Sequence, residues 1–213
     1  MTNRDRYIQY GCGLCAPSGW RNFDASPTLR LQRTPILGSM FRQPPWPEFP
    51  RNVEYGDIVK GLPLQPDSCE TIYCSHVLEH LALHDFRIAL RNTYTYLKPG
   101  GVFRRVVPDL EYLAGRYLDS IEPDAAIQFM EQAYLGKKQR PRGMGGFLRE
   151  YVGNSQHLWM WDFKAIACEL ERVGFRKVRR TSYGDSAITR FREVEDEGRW
   201  ENCLGVECCK LTG

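Results

Sequence analysis

Segments with strand character and segments with helical periodicity alternate through the first two-thirds of this 213-residue chain. That alternation leaves few architectures open. Neighbouring parallel strands need a crossover between them, and a helix is the usual one, so the pattern predicts a mostly parallel sheet with helices on both faces. Residues 6–10 and 20–24 read as the first two strands. A third lies in 52–59, ending near Asp57, and a fourth in 70–77, leading into a helix with "HVLEHL". Phe86, Ile88, Ala89, Tyr94 and Leu97 recur at roughly helical spacing, and "KPGG" closes that helix with Gly100 as a left-handed cap. Residues 102–108 read as a fifth strand, 109–136 as helical, 162–175 as an amphipathic helix ending at Gly174, and 176–183 and 202–211 as late strands. Six prolines between Pro27 and Pro50 make 27–50 a loop, and 136–156 loses periodicity and gains glycine, as a loop or lid does.

Ligands on such sheets sit at the carboxyl ends of the strands. Gly11-Cys12-Gly13-Leu14-Cys15-Ala16 follows the first strand and fits G-x-G-x-x-A, the pattern of a dinucleotide site. The spacing argues otherwise. Asp24 comes 13 positions after Gly11, whereas the ribose acid of a dinucleotide site lies about 20 residues on, after a full helix. There is little room for the helix whose N-terminus would hold a pyrophosphate. S-adenosylmethionine has an adenine, a ribose and an amino acid but no phosphate. It asks for a glycine turn, a carboxylate for the ribose hydroxyls and a polar contact to the adenine. Gly11 and Gly13, Asp24, and Asp57 offer these from the ends of three successive strands.

Three ordered segments carry a wider likeness: "GCG…GWRNFDAS", "GDIVKGLPLQPDSCETIYCSHVLEHL" and "LRNTYTYLKPGGVFRRVVPDLEYL". Together they resemble a class I S-adenosylmethionine-dependent methyltransferase of the subgroup with SHVLEH and LKPGG segments. The likeness runs from about Tyr7 to Tyr112, with a looser extension near 174–178. It implies a Rossmann-like α/β fold: a seven-stranded, mostly parallel sheet with helices on both faces, an antiparallel last strand and an inserted helical and loop cap. It implies one domain over 1–213, with 1–109 binding the cofactor, 110–161 capping the substrate and 162–213 completing the sheet. Gly11, Cys12 and Gly13 would hold the methionine end, Asp24 the ribose, and Asp57 and Ile58 the adenine. Cys74, Ser75 and His76 would line the cofactor beside its methyl. The first motif stops at two glycines with its helix short or absent, and Glu70 stands where the subgroup usually has aspartate.

Methyl transfer to a hydroxyl usually needs a base. His76, Asp109 and His157 are the candidates. Each has a structural alternative: His76 supporting the cofactor carboxylate, Asp109 capping the next helix, and His157 packing near Trp159 and Trp161. His80 reads as a cap or packing residue, and Glu79 as a partner for backbone or a nearby base. The subgroup's association with sugar and cell-surface chemistry points to O-methylation of a small molecule or saccharide, releasing S-adenosylhomocysteine. The basic run at 137–142 offers lid arginines for an anionic acceptor. Two other readings stay open: a non-catalytic S-adenosylmethionine-binding module and a nicotinamide-dependent oxidoreductase.

The net charge of +3 argues no nucleic-acid partner. No apolar run reaches bilayer length and no leader segment precedes the first strand, so membrane insertion is not expected and the cytoplasm is. Cys12 and Cys15 form a C-x-x-C, but no second pair stands at metal spacing and no histidine is near it in sequence. No metal is expected, and the eight cysteines read as reduced small side chains.

Overall fold

The computed structural model describes residues 5–35, 38–44, 46–139 and 156–212. Seven strands are present: β1 (Tyr7–Tyr10), β2 (Arg21–Asp24), β3 (Val53–Tyr55), β4 (Cys69–Ser75), β5 (Leu97–Pro108), β6 (Arg176–Thr181) and β7 (Cys203–Cys209). They form one sheet in the order β3-β2-β1-β4-β5-β7-β6. β1 through β5 pair in parallel, and β7 runs antiparallel between β5 and β6. The strand order reverses between β1 and β4, so a crevice opens there at the carboxyl edge.

The pleat sorts side chains between two layers. Ile8 and Tyr10, Ile72 and Cys74, and Phe103 and Val107 face a core completed by α2 (Leu83–Tyr96) and α5 (Phe163–Val173). From α2 come Phe86, Ala89 and Leu90, and from α5 Ile166 and Leu170, all with 0% exposure. Asp162 caps α5 by accepting from the Ala165 N–H at 2.7 Å, and Gly174 closes it at φ 118°. On the opposite face Trp20, Tyr73 and Val106 pack against Phe191, Val194 and Trp200, from a segment of short 3-10 turns. At the β3 end of that face α1 (Pro27–Gln32) sets Leu29 against Val53 and Cys12.

The β1–β2 connection crosses with no helix. Side-chain amides stitch it instead: Gln9 Nε2 donates to Asn22 Oδ1 at 2.6 Å and to the Cys15 carbonyl at 2.7 Å, and Asn22 Nδ2 donates to the Pro17 and Trp20 carbonyls. Buried backbone polar groups must find partners, and these two side chains supply them.

Several local expectations change. Residues 27–50 hold α1 and a 3-10 turn at Met40–Arg42, because Pro27 is tolerated in a first helical turn. The "HVLEHL" segment makes only a 3-10 turn at Leu78–His80. Residues 109–136 hold two helices, α3 (Leu110–Asp119) and α4 (Ala125–Gln132), broken around Pro123. The "KPGG" segment is not a helix cap. Leu97 already pairs with Cys69, and Gly100, at φ 81°, forms a bulge inside β5 that rejoins β4 at Val102. Residues 140–155 of the expected lid lie outside the described residues. Among the described residues no helix is long and apolar enough to cross a membrane.

Candidate active site

The carboxyl ends of β1 to β5 carry the residues singled out from the sequence. Gly11 sits at φ 68°, where a Cβ would come 1.9 Å from Val77 Cγ2, so only glycine fits the turn. Gly13, at φ 54°, faces open space: a Cβ there would meet nothing within 4 Å. Its N–H donates to Asp24 Oδ2 at 2.9 Å, and the Ser26 N–H donates to Oδ1 at 2.7 Å. Each oxygen keeps a further acceptor position. The turn and the acid are thus one unit, with the carboxylate fixed by backbone and still able to take two hydroxyl protons. That unit fits the ribose and amino-acid ends of S-adenosylmethionine.

Cys12 lies between the glycines, buried, and its N–H continues toward β2 by donating to the Phe23 carbonyl. Burial pushes its thiol well up, with the Asp24 charge adding, so it stays protonated. Asp57 accepts from the Val59 N–H at 3.0 Å and lies 3.4 Å from Lys60 Nζ. Ile58 and Cys74 stand differently. Both side chains belong to the core on the α2 side, with 5% and 0% exposure, Cys74 from β4 and Ile58 from the turn after β3. They can offer a ligand only backbone.

Ser75 ends β4, and His76 follows at φ 53°, an uncommon conformation for a residue with a Cβ. Arg199 reaches in from a 3-10 turn, giving Nε to Ser75 Oγ at 3.2 Å and Nη2 to the Ser75 carbonyl at 2.8 Å. His76 Nε2 donates to the Arg199 carbonyl at 2.9 Å, with Cys203 Sγ 3.7 Å away, and Nδ1 lies 3.1 Å from Glu79 Oε1. Burial alone would lower the imidazole. The Cys203, Glu79 and Arg199 contacts outweigh it and push it up to about 10. Both His76 nitrogens are thus engaged, Nε2 by the Arg199 carbonyl and Nδ1 by Glu79.

A cavity of about 750 Å³ opens beside these strand ends, with His76, Glu79, His80, Pro108, Tyr112 and His157 in its wall. Gly11, Gly13, Asp24 and Asp57 lie outside that lining. The Leu78–His80 turn and the 156–159 segment are strapped together, since the Leu158 and Trp159 N–H groups both donate to the Glu79 carbonyl. Glu79 has 0% exposure, and neither of its carboxylate oxygens completes a well-aligned hydrogen bond; the His76 contact is an ion pair without that alignment. His80 donates from Nδ1 to the Gln156 carbonyl at 2.9 Å. The His157 ring sits 5.0 Å from that of His80 and 5.1 Å from that of Tyr134, with its Nδ1 buried and unpartnered. Burial lowers His157, so it is neutral.

Asp109 takes the helix-capping alternative. It caps α3 by accepting from the Glu111 N–H at 2.9 Å, and its other oxygen lies 3.3 Å from Arg180 Nη1. It lies outside the cavity wall, where it holds the helix start. The structure thus gathers His76 and His157 and adds His80, Glu79 and Arg199. The H-x-x-E-H spacing at 76–80 was a readable signal for the first two of these additions. Arg199 had none, since a 3-10 turn far along the chain brings it to β4.

A family model described as a methyltransferase domain matches residues 14–180. No curated protein matches the chain. Among solved structures, a chain from the complex between a Haloferax volcanii methyltransferase activator and a methyltransferase aligns at TM-score 0.51 and 16% identity, covering 100% of this chain and 86% of that one. A Thermotoga maritima S-adenosylmethionine-dependent methyltransferase aligns at TM-score 0.53 and 16% identity, covering 96% and 81%. Phosphoethanolamine N-methyltransferase 2 of Haemonchus contortus, solved with S-adenosylmethionine, aligns at TM-score 0.51 and 12% identity, covering 100% of this chain and 50% of that one. At these identities the likeness is one of fold.

Proposed function

The chain belongs to the methyltransferase-domain family, and from that premise we propose that it transfers a methyl group to a hydroxyl of a small molecule or saccharide held in the cavity above β4 and β5. S-adenosylmethionine is the cofactor, and it supplies an electrophilic methyl on a sulfonium. The observation that carries the acceptor reading is the cavity's place and make-up. It adjoins the end of β4, its volume of about 750 Å³ suits a small ligand, and Arg116, Glu131 and Gln132 give its far wall donors and acceptors for several hydroxyls.

The chain's own residues divide the work. The Gly11–Gly13 turn lets backbone approach the ligand, and Asp24, held by two amides, takes the ribose hydroxyls. Asp57 stands at the adenine end. Arg199 and His76 lock Ser75 and the strand end, which makes His76 a positioning residue. Residues 110–139 and 156–161 close over the acceptor as a cap on the 1–109 half, and 162–213 completes the sheet. Holding acceptor and methyl in line supplies much of the rate. The acceptor's proton leaves toward the Glu79–His80–His157 wall, where His157 is neutral. Eight free cysteines support a reducing compartment, the cytoplasm.

Transfer of labelled methyl from S-adenosylmethionine into a panel of hydroxylated small molecules and saccharides tests the reading. Labelling of one class, lost in His157→Ala with S-adenosylhomocysteine binding retained, is expected. Asp24→Ala should weaken S-adenosylhomocysteine about tenfold by calorimetry, the value of a lost charged hydrogen bond. Label appearing only in protein or nucleic acid would overturn the acceptor class.

A further inference from the structure

We propose that Glu79, His80 and His157 form a binding site for one first-row divalent transition-metal ion, in the wall of the acceptor cavity. One potential ligand atom from each residue lies within 4.8 Å of the others. Two imidazoles and one carboxylate suit zinc, cobalt or iron(II) better than calcium or magnesium.

Independent features point at a ligand here. Glu79 has 0% exposure, and both its oxygens lack a well-aligned hydrogen bond. The His76 ion pair at 3.1 Å meets one of these oxygens without good alignment, so the carboxylate keeps acceptor positions that a cation would fill. His157, 9% exposed, holds an unpartnered buried Nδ1, and one of its ring nitrogens belongs to the 4.8 Å group. One cation satisfies the carboxylate and that ring nitrogen together. His80 already has the arrangement of a metal-bound histidine, giving Nδ1–H to the Gln156 carbonyl, which fixes the ring and leaves Nε2 for the ion. The Glu79 carbonyl, held by the Leu158 and Trp159 amides, ties the two halves of the site in place. His76 is outside the ligand set, since Nε2 is spent on the Arg199 carbonyl and Nδ1 on Glu79.

A tetrahedral ion with bonds of about 2.1 Å spans ligand pairs about 3.4 Å apart. The site therefore closes on the ion by side-chain rotation. Three protein ligands leave at least one position open toward the cavity, as catalytic sites do and structural ones do not. There the ion would take an acceptor oxygen and lower the pKa of its hydroxyl. That use rests on the acceptor reading above; the binding site does not. It also departs from the metal-free expectation drawn from the cysteines.

Cobalt(II) titration of the metal-stripped protein, read by calorimetry and visible absorption, tests the site. One ion per chain should bind with a four- or five-coordinate spectrum free of thiolate charge transfer. Glu79→Gln and His157→Ala should each weaken it at least about tenfold, while S-adenosylhomocysteine still binds and so reports an intact fold. If Glu79→Gln does not fold, His80→Asn, at a less buried position, decides by the same measure. Absent binding, binding unchanged in the variants, or a thiolate spectrum from Cys12 and Cys15 would overturn the site. Cobalt binding without acceptor labelling would keep the site and remove the acceptor reading; labelling by stripped protein without cobalt binding would do the reverse.

Discussion

Two adjacent arginines show how context decides the value of a buried charge. Arg104 and Arg105 are both fully buried on β5 and point to opposite faces. Arg104 meets Glu195, Asp185, Glu207 and the Ser182 carbonyl, and lies over the Trp200 ring at 4.6 Å. Arg105 has no hydrogen-bond partner on any guanidinium nitrogen, and burial pulls it down to about 10 despite the opposing charges around it. Removing one member of a satisfied buried network strands the others, so Arg104→Met should cost about 3 kcal/mol or more. Arg105→Met should be neutral or stabilising by roughly 1–3 kcal/mol, since it removes a buried charge that no hydrogen bond satisfies. Urea unfolding of both variants checks this, and equal destabilisation would contradict it. Neither partner set was legible in "VFRRVVP". The strand was readable from its apolar residues, but only the fold shows that 182–207 carries the acids for one arginine and nothing for the other.

At the level of elements, local rules read well where short-range physics decides. The α5 helix follows its apolar spacing, with Asp162 and Gly174 at its ends. "KPGG" misled because a left-handed glycine serves a helix end and a strand bulge alike, and pairing of Leu97 with Cys69 settles which. "HVLEHL" misled because its apolar residues suit a helix, while tertiary contacts stop it at one 3-10 turn. The α2–α5 contact carries a pH prediction. Arg87 grips Glu169 with two hydrogen bonds at 2.8 Å and, with burial opposing and Arg172 assisting, holds its carboxyl below the ordinary range. A carboxyl lowered in the folded state contributes stability above its unfolded pKa of about 4.3, and loses it as pH falls through the lower folded value. The Arg87 side chain is 41% exposed, so solvent screening keeps the pair's contribution small. Arg87→Ala should lower Tm slightly at pH 7, with the gap to wild type closing in strong acid and shrinking in high salt.

Across the whole molecule, the two halves of the candidate site differ in how far apart their parts lie. The glycine turn, Asp24 and Asp57 come from consecutive strand ends, so order and spacing exposed them. The acceptor wall joins the Leu78–His80 turn to residues 156–159, and no pattern in the sequence links the two. What links them is backbone: the Leu158 and Trp159 amides on one Glu79 carbonyl, at 2.8 and 3.1 Å, and the His157 amide on the Tyr134 carbonyl at 3.2 Å. Leu158→Pro removes one of these donors and leaves every named site residue unchanged in identity. Its side chain is 54% exposed, so packing changes little, and the stability cost should be about 1 kcal/mol. The strap sets His157 against Glu79 and His80 but touches neither the glycine turn nor Asp24. Calorimetry should therefore find S-adenosylhomocysteine affinity unchanged, while methyl transfer and cobalt binding both fall. A parallel loss of cofactor affinity would mean that the acceptor wall and the cofactor turn are not separable, and that the 156–159 strap holds the whole carboxyl edge rather than one side of it.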